Sequence, residues 1–177
     1  ALVPLIHAAL GDLLRKAKEK KAITVVNTVY DFLSEKNNPG KPWPLGDSID
    51  TYRYVDLLIT DMEEAFRLSG QETVESAIGY FKSAGVGAVI ITHGANPLYF
   101  YSDHGLFGEV PLSSLPVSEK VKDELRQNAG KKGDTTGCGD NFTGGVIASL
   151  ASQMMEKPGN RINLLEAIAF GVASGGY

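Results

Sequence analysis

Residues 133–145 read GDTTGCGDNFTGG: five glycines, two aspartates, two adjacent threonines and the only cysteine of the chain, directly ahead of the apolar run VIASLASQMM. So many glycines and hydroxyls cannot build a core. A glycine-rich turn feeding a helix instead points several backbone N–H groups in one direction, and the helix dipole adds partial positive charge at the same place. The chemistry this offers is anion binding. Neither GxxxxGK[ST] nor GxGxxG is present, which excludes those two phosphate loops. Asp140, the last charge before the apolar run, has two open roles. It can cap the helix, as aspartate commonly does. It can also act as a general base, taking a proton from a hydroxyl while the amides of Gly137, Cys138 and Gly139 stabilise charge on a transferring phosphoryl group. As a cap alone it would repel a bound phosphate.

The elements that must position this loop are read from hydrophobic period and turn chemistry. Leu2, Leu5, Ile6, Leu10, Leu13 and Leu14 fall on one helical face, with basic residues gathering towards its C-terminal end. AITVVN (22–27), YVDLLIT (54–60) and GAVIITHG (87–94) are short apolar strands. Asp61 is placed to cap the helix DMEEAFRLSG and Gly70 to end it. Thr73 and Ser76 sit near the start of TVESAIGYFKSAG, with Gly85 after its end. PLYFYSD can fold back across GANP as a hairpin. Residues 31–50 hold three prolines and no sustained period, and are expected to be loop. Residues 116–129 are polar and helix-prone, a surface helix or a lid. Alternating helices and continuously apolar strands predict a parallel sheet covered on both faces. The polar ends VVNT, LITD and IITHG then gather along one edge, where ligands bind in such sheets.

Composition sets the outer bounds. The 177 residues fit one domain of ordinary size, with 43% hydrophobic and 21% charged residues. A net charge of −4 gives no bulk attraction for nucleic acid. No apolar run approaches the roughly 20 residues of a membrane helix. One cysteine leaves no internal disulfide and no CxxC metal pair, which favours a reducing, cytoplasmic setting. His7, His93 and His104 suggest no metal cluster. The sequence begins and stops inside helical patterns, so a longer parent chain is expected.

DTTGCGDNFTGG resembles the C-terminal signature of the ribokinase-like (PfkB-type) carbohydrate kinases, usually close to D-T-T-G-A-G-D-x-F-x-G-G. ITDMEEAFRLSG resembles the family's N-x-x-E-A-x-x-L-x-G segment after a strand, and VIITHGANPLYFY its strand ending in T-x-G before a hairpin. The three motifs stand in the family's order. The resemblance implies a three-layer α/β/α sandwich, incomplete here, with residues 1–177 as the C-terminal nucleotide-binding and catalytic portion of a single ribokinase-like domain. The family's N-terminal part, which supplies most sugar contacts and a small β lid, has no counterpart, and the C-terminal end of the cation and adenine site is missing.

The implied activity is ATP-dependent phosphorylation of a sugar hydroxymethyl group, with the isolated portion inactive. A nucleoside or hydroxymethyl-pyrimidine kinase, or a non-catalytic ligand-binding relative, are the alternatives. Asp140 matches the base, and Gly137, Cys138 and Gly139 match the anion hole. Glu64 matches the acid that organises Mg²⁺ and phosphate through water. Thr92 and Gly94 match nucleotide contacts. Asp134 and the Thr136 carbonyl match a monovalent-cation site, which adds K⁺ to ATP and Mg²⁺. Read alone, Glu64 is a solvated helix charge and Thr92 and Gly94 a plain strand end. Cys138 stands where the family usually has Ala, a small packed residue rather than a reactive thiol. Asp61 stands where it usually has Asn and adds negative charge beside the phosphates. Lys131 and Lys132 meet phosphate or face water. The expected partner is a small sugar or related alcohol, without nucleic acid or membrane; a homodimer is an open option.

Overall fold

The computed structural model describes residues 4–103, 105–128 and 136–175. In chain order these form α1 (Pro4–Ala8), α2 (Leu10–Glu19), β1 (Val25–Asn27), α3 (Phe32–Asn37), a 3₁₀ turn (Ile49–Tyr54), β2 (Leu57–Asp61), α4 (Met62–Ser69), α5 (Val74–Ser83), β3 (Ala88–Thr92), β4 (Leu98–Ser102), β5 (Val110–Leu115), α6 (Glu119–Gln127), α7 (Cys138–Glu156) and α8 (Leu164–Gly175).

The strands make one sheet in the order β1-β2-β3-β4-β5. β1, β2 and β3 are parallel, with Ile59 opposite Asn27 on one side of β2 and Asp61 opposite Thr92 on the other. β4 returns antiparallel to β3, and β5 antiparallel to β4. The parallel strands at 25–27, 57–61 and 88–92 and the hairpin partner follow the apolar runs read from the sequence.

Side chains alternate across the sheet, and each face has its own core. Leu58, Val89 and Ile91 pack with Ala65 and Leu68 of α4 and Ala77 and Phe81 of α5. Leu57, Ile59 and Ile90 pack on the opposite face with Phe142 and Val146 of α7 and Ile168 of α8. Both faces are therefore covered by helices, and the fold is an α/β sandwich with a mixed sheet.

Local chemistry sets the helix ends. The Asp61 carboxylate accepts from the Glu64 amide at 2.8 Å and caps α4, while Gly70 at φ 67° ends it. Thr73 and Ser76 form a reciprocal capping box at α5.

Two expectations are corrected, and one strand stands where the sequence raised none. The stretch 31–50 is not all loop: α3 lies in it, because Asp31 caps the amides of Leu33 and Ser34, and the 3₁₀ turn begins before residue 50. The N-terminal helix breaks at Ala9, and only part of its apolar face is covered: Leu14 is buried, while Leu5 is 82% exposed. β5 went unread, since VPLSSL is short and half polar. The polar segment read at 116–129 is helical as α6.

A candidate phosphoryl-transfer site at the sheet edge

The three parallel strands end at Asn27, Asp61 and Thr92, on one edge of the sheet. α7 arrives at this edge amino end first. Gly137 is the residue before the helix, at φ 85°, a left-handed conformation that glycine adopts without strain. Its carbonyl accepts from Asn141 at 2.8 Å. Cys138, Gly139 and Asp140 thus make up the first turn, and their amides have no partner within the helix. Asp140 lies inside the helix and makes no side-chain cap bond, so the capping role is corrected to Gly137. The Asp140 residue is exposed. Phe142, fully buried against the sheet, anchors the turn that carries it.

A cavity of about 260 Å³ opens between α7 and the strand ends, and Asp61, Glu64, Thr92, Gly137, Gly139 and Asp140 all line it. These six come from β2, α4, β3 and the glycine loop, which are far apart in sequence. A side chain at Gly137 or Gly139 would meet no other atom within 4 Å, so the ground in front of both glycines is open. Cys138, half-buried, and Thr136 are not among the walls, and Gly94 lies in the turn after β3 at φ 53°, also off the cavity. Asp134, Lys131, Lys132 and His104 lie outside the described residues. His93 is exposed at the strand end.

Among the cavity walls, Glu64 has a carboxyl shifted by its surroundings. It is 6% exposed, so it is no solvated helix charge. Burial pushes its carboxyl above the ordinary glutamate range, a hydrogen bond from Thr28 pulls it back, and the neighbouring Asp61 charge pushes it up again. The Thr28 hydroxyl donates to the Glu64 carboxylate and lies 2.8 Å from Thr60 Oγ1. Thr92, 7% exposed, points its hydroxyl at the Thr60 carbonyl, 3.5 Å away. Asn27, Thr28 and Thr60 also line the cavity. They belong to the polar ends VVNT and LITD expected along this edge, though the sequence assigns none of the three a role of its own.

Among the described residues no cluster of three or more His, Cys, Asp or Glu could hold a metal. Mg²⁺ keeps most of its water and takes one or two carboxylates plus phosphate oxygens. Two acids on one wall, one of them held buried, suit such an ion: its charge relieves their repulsion. Nor is any described helix long and apolar enough to cross a membrane.

The family model described as "pfkB family carbohydrate kinase" matches residues 4–177. Solved structures share the fold at low identity. An adenosine kinase from Schistosoma mansoni, in complex with adenosine and AMP, is 20% identical with a TM-score of 0.63, over 97% of this chain and 45% of its own. A ribokinase from Thermotoga maritima is 22% identical with a TM-score of 0.60, over 92% of this chain and 44% of its own. A putative ribokinase II from E. coli, in complex with ATP and Mg²⁺, is 18% identical with a TM-score of 0.63, over 94% and 45%. The chain spans slightly less than half the length of each.

Proposed function

This chain belongs to the pfkB family of carbohydrate kinases, and on that premise we propose that it is the phosphoryl-transfer portion of an ATP-dependent kinase acting on a sugar hydroxymethyl group. One observation carries the reading: Asp140 and the open glycines before it face the acidic pair Asp61 and Glu64 across a single cavity.

In the proposed reaction Asp140 takes the proton of the acceptor hydroxyl as its oxygen attacks the γ-phosphorus of ATP. The bond from that phosphorus to the ADP oxygen breaks, and the phosphoryl group ends on the sugar. The first-turn amides of α7 and the helix dipole stabilise charge on the equatorial oxygens. Thr92 belongs to the wall along which the nucleotide lies. Asp61 and Glu64 would hold Mg²⁺ through its water shell, and the ion, when bound, neutralises phosphate charge. The same proposal keeps the Thr136 carbonyl and Asp134 as a K⁺ site, on the strength of the sequence resemblance alone.

The 177-residue chain on its own is expected to be inactive. β1 is an edge strand, and an apolar groove of about 430 Å³ opens against it between Leu10, Leu14 and Val25. Together with the partial coverage of the similar structures, this supports a need for further sheet and further substrate contacts. The test is ADP release by the full-length gene product against a panel of sugars, with nucleosides and hydroxymethyl-pyrimidines beside them. Sugar-dependent release is expected; release only with a nucleoside would move the acceptor class, and none at all would reject the kinase. Sugar-dependent turnover by residues 1–177 alone would show the remainder dispensable.

A further inference from the structure

Thr28 is the first residue past β1, and its amide donates to the Ile59 carbonyl at 3.1 Å, so its backbone is still fixed to the sheet. Its hydroxyl reaches Glu64 across the end of β2. Glu64 itself is held at its amide by Asp61, at the β2–α4 junction. The glutamate is therefore gripped at both ends: its backbone by the cap, its carboxylate by a neighbouring strand. Thr60, 2% exposed, stands 2.8 Å from the Thr28 oxygen and leaves that hydroxyl little freedom to turn away.

A glutamate side chain with three rotatable bonds loses its position easily, and a buried carboxylate keeps its place only where donors meet it. Thr28 lines the cavity, and its hydroxyl is directed at the side chains of Glu64 and Thr60. We propose that Thr28 is the positioning residue that holds the Glu64 carboxylate against the cavity wall. The proposal rests on the kinase reading for its effect on rate, though not for its effect on geometry. Without the hydroxyl, the carboxylate swings towards water and away from the phosphate side of the cavity.

The experiment uses the full-length protein with Thr28→Val, which keeps shape and removes the donor, and Thr28→Ser, which returns it. A lost second partner of a metal-organising acid typically costs about 10- to 100-fold. We expect kcat to fall by that order in Thr28→Val, with the acceptor KM within about twofold, and Thr28→Ser to recover most of the loss. In a Glu64→Gln background, Thr28→Val should have no further effect on kcat, since both act through one carboxylate. Crystal structures should show the Glu64 carboxylate displaced in Thr28→Val and in place in Thr28→Ser. Wild-type kcat in Thr28→Val, failure of Thr28→Ser to recover, or an unmoved Glu64 would each overturn the role. If the wild type phosphorylates nothing, the kinase reading falls, and the crystal structures still decide the positioning. Should Thr28→Val not fold, Thr28→Ala takes its place with the same expected outcomes.

Discussion

Asp61 and Thr92 are in-register partners on β2 and β3, so the residue that caps α4 and the last residue of the next strand stand side by side. Both face the cavity that Asp140 enters from α7. Two parallel strands and one helix amino end are enough to bring an acid, a hydroxyl and an open glycine turn within reach of one ligand.

For Asp140, substitution by Asn in the full-length protein removes the proposed proton acceptor and leaves the helix start alone, because the cap is Gly137. Loss of the favourable dipole interaction is worth about 0.3–1 kcal/mol at an exposed site. A positioned base contributes about 10²–10⁴-fold. The expected result is kcat lower by that order, with nucleotide Kd unchanged or tighter as repulsion disappears. Steady-state kinetics and nucleotide titration on the same preparation check it; near-normal kcat removes Asp140 from the mechanism.

Glu64 carries a stability cost with a definite sign. Its carboxyl sits above the ordinary glutamate value in the folded protein, so the folded state binds its proton more tightly than the unfolded state. The contribution to stability is complete below the unfolded value and is lost as pH rises through the folded one. Glu64→Gln should therefore raise the melting temperature at pH 7 and leave it near that of wild type at pH 4. Melts across that range in Mg²⁺-free buffer read the trend, and a gain that does not grow with pH would exclude ionisation as the cause.

Adjacent glycines on α7 should respond in opposite ways. A methyl group at Gly145 would stand 2.5 Å from the Phe170 carbonyl oxygen and from Ser174 Oγ, whereas at Gly144 it would meet nothing within 4 Å. Gly145→Ala forces α7 and α8 apart and should destabilise by about 1–3 kcal/mol. Gly144→Ala improves helix propensity and should stabilise by up to about 1 kcal/mol. Urea unfolding of both variants tests the close approach of these helices; equal effects would contradict it.

Tyr52 is 2% exposed, and its hydroxyl has no hydrogen-bond partner among the described residues. Its ring meets Tyr80 edge-on at 5.9 Å and Phe81 at 5.7 Å. Burial pushes the phenol pKa upward. Tyr52→Phe keeps the rings and removes a desolvated polar group, so it should stabilise by about 1 kcal/mol. A loss of stability in denaturant melts would reveal a bond to that hydroxyl.

The parallel strands were legible because burial on both faces leaves an uninterrupted apolar run: LLIT and AVIIT contain no alternation to confuse with a surface strand. The cap at Asp61 and the stop at Gly70 were legible because one residue type supplies each, and Thr73 and Ser76 marked the start of α5 without announcing the reciprocal box they form. β5 was not legible, since none of its residues is fully buried and its mixed burial leaves no period. The site was legible where a motif crowds it, at 137–140. Glu64 read as a surface charge, because four residues of helix say nothing of a strand passing over them. Thr28 was legible as part of the polar end VVNT but its partner was not, since a hydroxyl acquires its role from Thr60 and Glu64, more than 30 positions away.

The two faces of the sheet close at different times in the life of the chain. All five strands and the helices of one face lie within residues 1–115, but the other face waits for Phe142, Val146, Leu150 and Ile168. A chain made from its amino end therefore holds Leu57, Ile59, Ile90 and Phe100 uncovered until α7 and α8 leave the ribosome, a window in which apolar surface invites association with other chains. The helix that ends this exposure is the one that carries Asp140. Protection of the nascent sheet and completion of the cavity are thus a single event, and ribosome-bound intermediates stopped before residue 138 hold Asp61 and Glu64 without Asp140.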